Sequence, residues 1–331
     1  MNNLAMKKRV YGAIGVKATM AAWNLGFDHA PKSLSNGTIY ASDKSLKYSA
    51  RRLWNEEGEK IIYFKQYKSK KETKGANKGL MVINPMSLEE KYEAVFGNDK
   101  NQDMIATNLF NATDVKNFGA TFAVKGVNLS ITGAVQIGQG LNLYEDTEVN
   151  TQSILSPFRD PTKDAKNNTD DKNDEKKGDE AKNSSLGSMS FTDEAHYMYP
   201  FVINPHAYDN YVELGVTDGY TEEDYLGFKK AAIVCATAQA TCSKEGCENE
   251  FVLFIEAEHD LYLPNLTDYM TFEKGENNDK NTIDLGNCAD ILKLVADRVL
   301  SVEIYYNPYT TQIKFDYDNV KYFNIISQTE M

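Results

Sequence analysis

A short segment near the amino terminus combines cations with helical spacing. In residues 42–54, SDKSLKYSARRLW, three cations fall on one stripe of a helix at about 100° per residue: Lys44, Lys47 and Arg51. Ser42 is the expected N-cap. The opposite side is apolar, with Leu46, Ala50 and Leu53. A helix that packs one face and presents fixed positive charge on the other is suited to binding phosphate oxygens.

The charge of the chain is unevenly distributed. The 331 residues carry a net charge of −12. Residues 1–78 carry 16 Lys+Arg and 6 Asp+Glu, a net of +10, so the remainder carries −22. This asymmetry predicts one basic surface for a polyanion on an acidic body. The alternative is chance variation of surface charge.

The residues that could do catalysis or bind metal lack a recognisable pattern. The four histidines are His29, His196, His206 and His259, and none has a sequence context typical of a triad or dyad. The four cysteines, Cys235, Cys242, Cys247 and Cys288, lack zinc-ligand spacing. The acidic run Glu256, Glu258 and Asp260 around His259 follows no ligand spacing rule. We expect no metal and no cofactor.

The elements that position these residues follow from periodicity. Residues 9–18 predict a half-buried first strand, and Lys17 makes the apolar run too short for a secretory signal. No stretch is apolar enough to span a membrane, so a cytoplasmic protein is expected. Further strands are predicted at 60–68, 121–126, 128–138, 249–258, 301–306, 311–317 and 320–326. Helices are predicted from Ser87, from Thr221 to about Cys242, and at 289–300.

One segment has a composition that opposes folding. Residues 160–185, DPTKDAKNNTDDKNDEKKGDEAKNSS, contain no apolar residue beyond Ala, so burial cannot offset the entropy of ordering them. The flanking stretches, 151–158 and 185–191, predict the two arms of a long hairpin with a disordered tip.

Several segments resemble the backbone subunit of the type I-B CRISPR-associated Cascade complex, a member of the RAMP superfamily. They are YGAIGVKATMAAWN at 11–24, GTIYASDKSLKYSARRLW at 37–54, FGATFAVKGVNLSITGAVQIGQGLNL at 118–143 and DEAHYMYPFVINP at 193–205. The glycine-patterned block at 118–143 is the most specific of these.

The resemblance implies an α+β fold shaped like a right hand, in which an RRM-like (ferredoxin-like) palm carries a helical finger insertion and a protruding β-hairpin thumb. The expected divisions are 1–68 and 118–146 for the palm, 69–117 for the finger and 147–196 for the thumb with its disordered tip at 160–185. Residues 197–331 would complete the palm with helical additions.

The resemblance also implies sequence-independent binding of the CRISPR RNA spacer by a non-catalytic subunit. Its partners would be the guide RNA, the complementary target DNA strand through the guide, head-to-tail copies of itself and other Cascade subunits. The expected RNA contacts are Lys17, Lys44, Lys47, Arg51, Gly133, Gly138 and Gly140. Phe158 or Met189 is expected to wedge under a displaced base.

Two other functions stay open from the sequence. In the related type III backbone subunits, an aspartate in the loop before the basic helix assists metal-dependent cleavage of RNA, and Asp28 is the candidate here. The other is a protein-interaction module without nucleic acid, which fits the acidic body but not the basic first 78 residues.

Overall fold

A computed structural model describes residues 5–75, 78–98, 101–124, 126–159, 183–277 and 279–331 of the chain, with side chains described outside 155–159 and 183–186. Residues 160–182, most of the predicted disordered tip, lie outside the described residues.

The described elements comprise helices and strands in an irregular alternation. The helices are α1 Asp43–Glu56, α2 Leu88–Phe96, α3 Gln102–Phe110, α4 Thr113–Phe118, α5 Asp209–Glu213, α6 Glu222–Val234 and α7 Gly286–Lys293. The strands are β1 Arg9–Ala21, β2 Tyr40–Ala41, β3 Tyr67–Lys71, β4 Met81–Pro85, β5 Gly119–Val124, β6 Val127–Thr132, β7 Val135–Ile137, β8 Gly140–Asn142, β9 Val149–Arg159, β10 Asn183–Ile203, β11 Cys247–Ala257, β12 Thr271–Glu273, β13 Asn281–Asp284, β14 Val299–Tyr306, β15 Thr311–Lys314 and β16 Val320–Asn324.

A mixed central sheet organises the chain. Its strands follow the order β16-β14-β11-β1-β10-β8-β2, and β7 and β9 also pair with β10. β1 runs antiparallel to both of its neighbours, β10 and β11, whereas β14 and β16 are parallel. The first strand therefore lies at the centre of the sheet, as its apolar composition favours.

Both faces of the sheet are covered. On one face, Val10 and Ile14 of β1 belong to a core that includes Leu46 of α1 and Phe228 of α6. On the other face, Tyr11 belongs to a second core, together with Leu253, Ile283 and Leu292. The expectation of a half-buried β1 is wrong for this reason, since residues on both of its faces are buried.

The predicted long hairpin is present. β9 and β10 pair antiparallel, with Val149 opposite Thr192 and Ile154 opposite Gly187. β10 then continues without a break into the central sheet, where it pairs with β1 through Val10 and Ile203. One strand thus belongs both to the hairpin and to the central sheet.

The region between α1 and β5 differs from the prediction. The expected strand at 60–68 is wrong: extended pairing begins only at Tyr67, and β3 and β4 form a two-stranded ribbon outside the central sheet. The capping box of Ser87 and Glu90 at the start of α2 is confirmed. β5 and β6 likewise pair only with each other.

The second half follows the predicted order more closely. The capping box of Thr221 and Asp224 is confirmed, although α6 ends at Val234, before Cys242. The predicted helix at 289–300 is shorter than expected, because β14 already begins at Val299. Among the described helices, none combines the length and apolarity needed to cross a bilayer.

Candidate functional site

The apolar face of α1 fixes this helix against the sheet. Leu46, Ala50 and Trp54 are buried, as the spacing predicts. Ser42 occupies the N-cap position, but its hydroxyl makes no capping bond and instead donates to Asn24 Oδ1 at 3.0 Å. The start of α1 is therefore held by tertiary contacts rather than by its own cap.

The three predicted cations of α1 lie in different environments. Lys44 is exposed and forms no ion pair with the residues that the structure describes. Lys47 is mostly covered and donates to Asp43 Oδ2 at 2.9 Å. Burial raises the pKa of the Asp43 carboxyl, but the hydrogen bond and charge of Lys47 outweigh this effect and the pKa is lowered overall.

Arg51 is engaged most deeply of the three. Its Nε donates to Asp114 Oδ2 at 3.1 Å, and the Asp114 side chain is completely buried. The guanidinium carbon lies 5.3 Å from the ring centroid of Phe118, within the range of a cation–π contact. Of the three predicted cations, only Lys44 therefore presents its charge freely. The charges of Lys47 and Arg51 are neutralised by Asp43 and Asp114.

The exposed start of α1 lies beside the glycine-rich segment between β7 and β8. Gln139 Nε2 donates to Asp43 Oδ1 at 3.2 Å, and this contact joins the segment to the first turn of the helix. Lys44, Gly138 and Gly140, all predicted RNA contacts, are thus brought to one region of the surface.

The glycines in this region are required for close packing. A Cβ at Gly140 would lie 2.6 Å from the ring of Tyr199, and a Cβ at Gly133 would lie 2.2 Å from the carbonyl carbon of Phe118. The amide of Gly138 donates to the carbonyl oxygen of Pro200 at 2.8 Å. Gly138 therefore cannot offer its N–H to a ligand without breaking that bond, and its role as an RNA contact stays a prediction.

Lys17 lies at another place in the fold. Its ammonium is 3.7 Å from Glu248 Oε1, and it lines a cavity of about 420 Å³ with Thr237, Lys244 and Gly246. Its role as an RNA contact stays a prediction. No described contact joins Lys17 to Lys44.

The remaining predicted residues are placed as follows. Asp28 is exposed, and its Oδ1 accepts from the amide of Ala30 at 3.2 Å in a local turn. Met189 is half-buried on β10 opposite Gln152. The side chain of Phe158 lies outside the described residues.

A buried charged cluster at the base of the hairpin was missed in the sequence. His196 is fully buried, with Nδ1 2.8 Å from Glu250 Oε2 and Nε2 3.0 Å from Glu194 Oε1. Lys274 also contacts Glu194, and the His196 ring stacks on Phe272 at 3.8 Å. Burial lowers the pKa of His196, but the charge of Glu250 and the hydrogen bonds of both carboxylates outweigh it and raise the pKa overall. No sequence signal joins these residues, because they come from β10, from β11 on the far side of β1 and from β12 in a separate sheet, and only the tertiary fold brings them together.

The acidic run near His259 has a structural explanation. Glu256 is paired with Lys8 at 3.0 Å, while Glu258 and Asp260 are both paired with Arg298. Within the described residues, no group of three or more His, Cys, Asp or Glu side chains is arranged to hold a metal ion. All four cysteines are free, and only Cys242 is exposed.

Comparison with solved structures shows a similar fold. A chain from a structure titled "CRISPR RNA-guided surveillance complex, pre-nicking" has a TM-score of 0.51 at 12% identity, covering 93% of this chain and 96% of that chain. A chain from a structure titled "CRISPR RNA-guided surveillance complex" is less similar, with a TM-score of 0.43 at 12% identity, covering 92% of this chain and 95% of that chain.

Sequence comparison is decisive for the family. No curated protein matches the chain. The family model described as "CRISPR-associated protein Cas7" matches residues 8–289, which include strands β1 to β11, helix α1 and the β9–β10 hairpin. The chain belongs to the CRISPR-associated protein Cas7 family.

Proposed function

We propose that this chain binds the spacer of a CRISPR RNA without reading its sequence, as a non-catalytic backbone subunit of a type I-B Cascade complex. The observation that carries the proposal is the family match over residues 8–289. The type I-B assignment rests on the segments quoted above, chiefly the glycine-patterned block at 118–143.

The strand order supports an RRM-like palm. β11-β1-β10-β7 are neighbours in the sheet, and along the chain they occur as β1, α1, β7, β10, α6 and β11. This is the β-α-β-β-α-β arrangement of a ferredoxin-like fold. Residues 69–117 would then be the finger insertion, and the β9–β10 hairpin within 147–196 would be the thumb.

In the proposed function, side chains of the thumb separate neighbouring bases of the guide RNA. Because β10 runs from the hairpin into the central sheet, a side chain on the hairpin keeps a fixed orientation relative to the palm of the same subunit. Met189, half-buried on this strand, and Phe158 on the opposite arm are the proposed wedges. An apolar wedge can unstack neighbouring bases without distinguishing among them.

On the palm, fewer cations of α1 are free to contact the guide phosphates than the sequence predicted. Lys44 offers a free ammonium beside the 138–140 segment, whereas Lys47 and Arg51 are held by Asp43 and Asp114. A phosphate contact through Lys44 carries no sequence information, as a subunit that coats arbitrary guides requires. The guide's base edges would stay free to pair with target DNA.

Assembly with further copies of the chain is proposed from the charge distribution. The first 78 residues carry +10 and the remainder −22, so a basic surface of one copy can meet an acidic surface of the next. Contacts between unlike surfaces produce open head-to-tail filaments when the rotation between copies does not close a ring. Other Cascade subunits would bind at the ends of such a filament.

The test is purification of the chain with its partners from its native host, followed by sequencing of the bound RNA. Short RNAs with variable spacers flanked by a constant repeat are expected. Total cellular RNA in proportion to its abundance, or protein free of RNA, would contradict the proposal and favour the interaction-module alternative.

A further inference from the structure

Most of the free positive charge of the amino-terminal region lies away from α1. Residues 60–78 contain seven lysines and one acidic residue. In the structure, six of these lysines lie on or next to the ribbon of β3 and β4, whose described residues, 65–75 and 78–85, we call the lysine ribbon. Five of its lysines are exposed and have no ion pair within the described residues: Lys65, Lys70, Lys71, Lys74 and Lys78. Lys68 alone is paired there, with Glu90.

One face of the lysine ribbon is apolar and open. Residues directly opposite each other on antiparallel strands share a face, and the register sets Tyr67 against Pro85 and Ser69 against Ile83. Tyr67 is 54% exposed, Met81 64% and Ile83 74%. The ammonium of Lys65 lies 4.8 Å from the centroid of the Tyr67 ring. Lys71, which lies opposite Met81, shares this face, whereas Lys70 lies opposite Val82 on the other face. The exposed apolar side chains therefore have Lys65 and Lys71 beside them on one surface that nothing in the described chain covers.

The chemistry of this surface discriminates among partners. An acidic protein would leave several lysines in the interface, although lysine is depleted from protein–protein interfaces. A nucleic-acid duplex would satisfy the lysines but hide its base faces inside the stack, so Tyr67, Met81 and Ile83 would gain nothing. A single strand offers both phosphates for the lysines and open base faces for the aromatic ring and its apolar neighbours.

We infer that the lysine ribbon binds single-stranded nucleic acid, independently of its sequence, at a surface separate from Lys44. This binding goes beyond the proposed guide binding and does not depend on it. Single-stranded DNA and single-stranded RNA share the chemistry that the ribbon recognises, and the experiment distinguishes them.

The experiment measures binding of the full chain to labelled oligothymidylate and to oligouridylate of the same length by fluorescence anisotropy at several salt concentrations. The charge variant is Lys65→Gln/Lys71→Gln, which removes the two lysines beside Tyr67 and Met81. Its matched control is Lys280→Gln/Lys321→Gln, since these two lysines are also exposed and have no described ion pair. Thermal melting of each variant checks that the fold is retained.

Removing the two ribbon lysines should weaken binding of the single strand and reduce the salt slope by about 0.7 for each phosphate that is no longer neutralised. The control pair should leave both the affinity and the slope unchanged. Tyr67→Ala should weaken binding at least about fivefold, which is the smallest loss of affinity expected when one base no longer stacks on a ring, and it should leave the salt slope unchanged. A stronger effect on one of the two oligonucleotides identifies DNA or RNA as the favoured strand.

Three results would overturn the inference. One is equal loss of binding in the ribbon and control variants. Another is a duplex of the same length that binds as tightly as the single strand, with no effect of Tyr67→Ala. The third is displacement of the oligonucleotide by polyglutamate or phosphatidylserine vesicles at equal charge, which would assign the surface to an acidic protein or a membrane. Lys44→Gln separates this test from the guide-binding proposal. The factor by which the ribbon variant weakens binding should be the same with and without Lys44→Gln, whereas a ribbon effect that disappears in the Lys44→Gln background would assign all binding to the surface of Lys44 and also overturn the inference.

Discussion

The guanidinium of Arg51 and the carboxylate of Asp114 form an ion pair whose acidic member is fully buried, with 3.1 Å between Nε and Oδ2. The same carboxylate accepts the backbone amides of Ile62 at 3.0 Å and Tyr63 at 2.8 Å. Asp114 thus connects α1, the segment after it and α4. Any contact of Arg51 with RNA must use guanidinium nitrogens other than Nε.

Replacing Arg51 should therefore reduce stability first. Arg51→Ala leaves a buried carboxylate with only two amide donors, and we expect a loss of about 2–4 kcal/mol in the free energy of unfolding. Lys44→Ala on the same helix should change it by less than about 0.5 kcal/mol, because an exposed lysine without a partner contributes little. Urea unfolding measures both. Equal stability of the two variants would contradict a structural role for Arg51.

Lys44 should instead affect the binding of guide RNA. Lys44→Ala is expected to weaken binding by a similar factor for unrelated spacer sequences and to reduce the salt slope by about 0.7, since the variant neutralises one phosphate fewer on a single strand. The comparison is Lys321→Ala, which removes an exposed lysine far along the chain on β16. A variant that changes affinity for some spacers and not for others would indicate base recognition, contrary to the proposal.

Sequence patterns predicted those elements that are decided by local periodicity. The buried face of α1, the caps at Ser87 and Thr221 and the two arms of the hairpin depend on residues close together in the chain. The strand predicted at 60–68 was wrong because the alternating side chains of this segment pack into the core without strand pairing. Ile62 is buried in the core while its amide bonds to Asp114, so the segment needs no partner strand.

The site was harder to predict because charge alone does not say whether a cation is free. Lys47 and Arg51 have the helical spacing of an exposed stripe, and only the fold brings Asp114 beneath Arg51 from 63 residues further along the chain. The lysine ribbon had a clear signal in its six lysines, but the register that places Tyr67 and Ile83 on one exposed face depends on pairing between two segments.

The glycine-patterned block should be sensitive to added volume. A Cβ at Gly133 would meet three backbone atoms at 2.2–2.5 Å, and backbone cannot move aside as a flexible side chain can. Gly133→Ala is expected to cost more than about 2 kcal/mol of unfolding free energy. Gly227→Ala is the control, because nothing lies within 4 Å of its Cβ position in α6. It should stabilise the chain by about 0.5–1 kcal/mol.

Replacing Asp28 tests the proposed non-catalytic function against the ribonuclease alternative. In the proposed function, guide-loaded protein incubated with complementary RNA and magnesium leaves that RNA intact, and Asp28→Ala behaves identically. Within the part of the chain that the structure describes, the carboxylate accepts only the local amide of Ala30 in an exposed turn, so its replacement should not alter folding. Gel electrophoresis of end-labelled RNA detects cleavage. Cleavage by the unaltered chain that disappears in Asp28→Ala would favour the ribonuclease alternative.

The His196 cluster should give the chain a pH-dependent stability. His196 is faced by Glu250 from β11, Glu194 from its own strand, Phe272 from β12 and Tyr144 at the ring edge. Since its folded pKa is raised, its contribution is complete below about pH 6.5, the unfolded value, and is lost as the pH rises through the folded value. The hydrogen bond from His196 is the main cause that lowers the pKa of Glu194 to about 2, so this carboxylate's contribution is lost only as the pH falls through that value.

Stability should thus decline from pH 6 to pH 9, and His196→Gln should flatten that decline, because glutamine can hydrogen-bond but cannot carry a charge. The measurement is the urea midpoint at each pH for both proteins. Tyr144→Phe is a useful control, since it retains the ring edge against His196 and removes no charge. A decline of equal slope in His196→Gln would place the titrating group elsewhere. If the slope disappears, protonated His196 is what joins the root of the hairpin to β11 through Glu250.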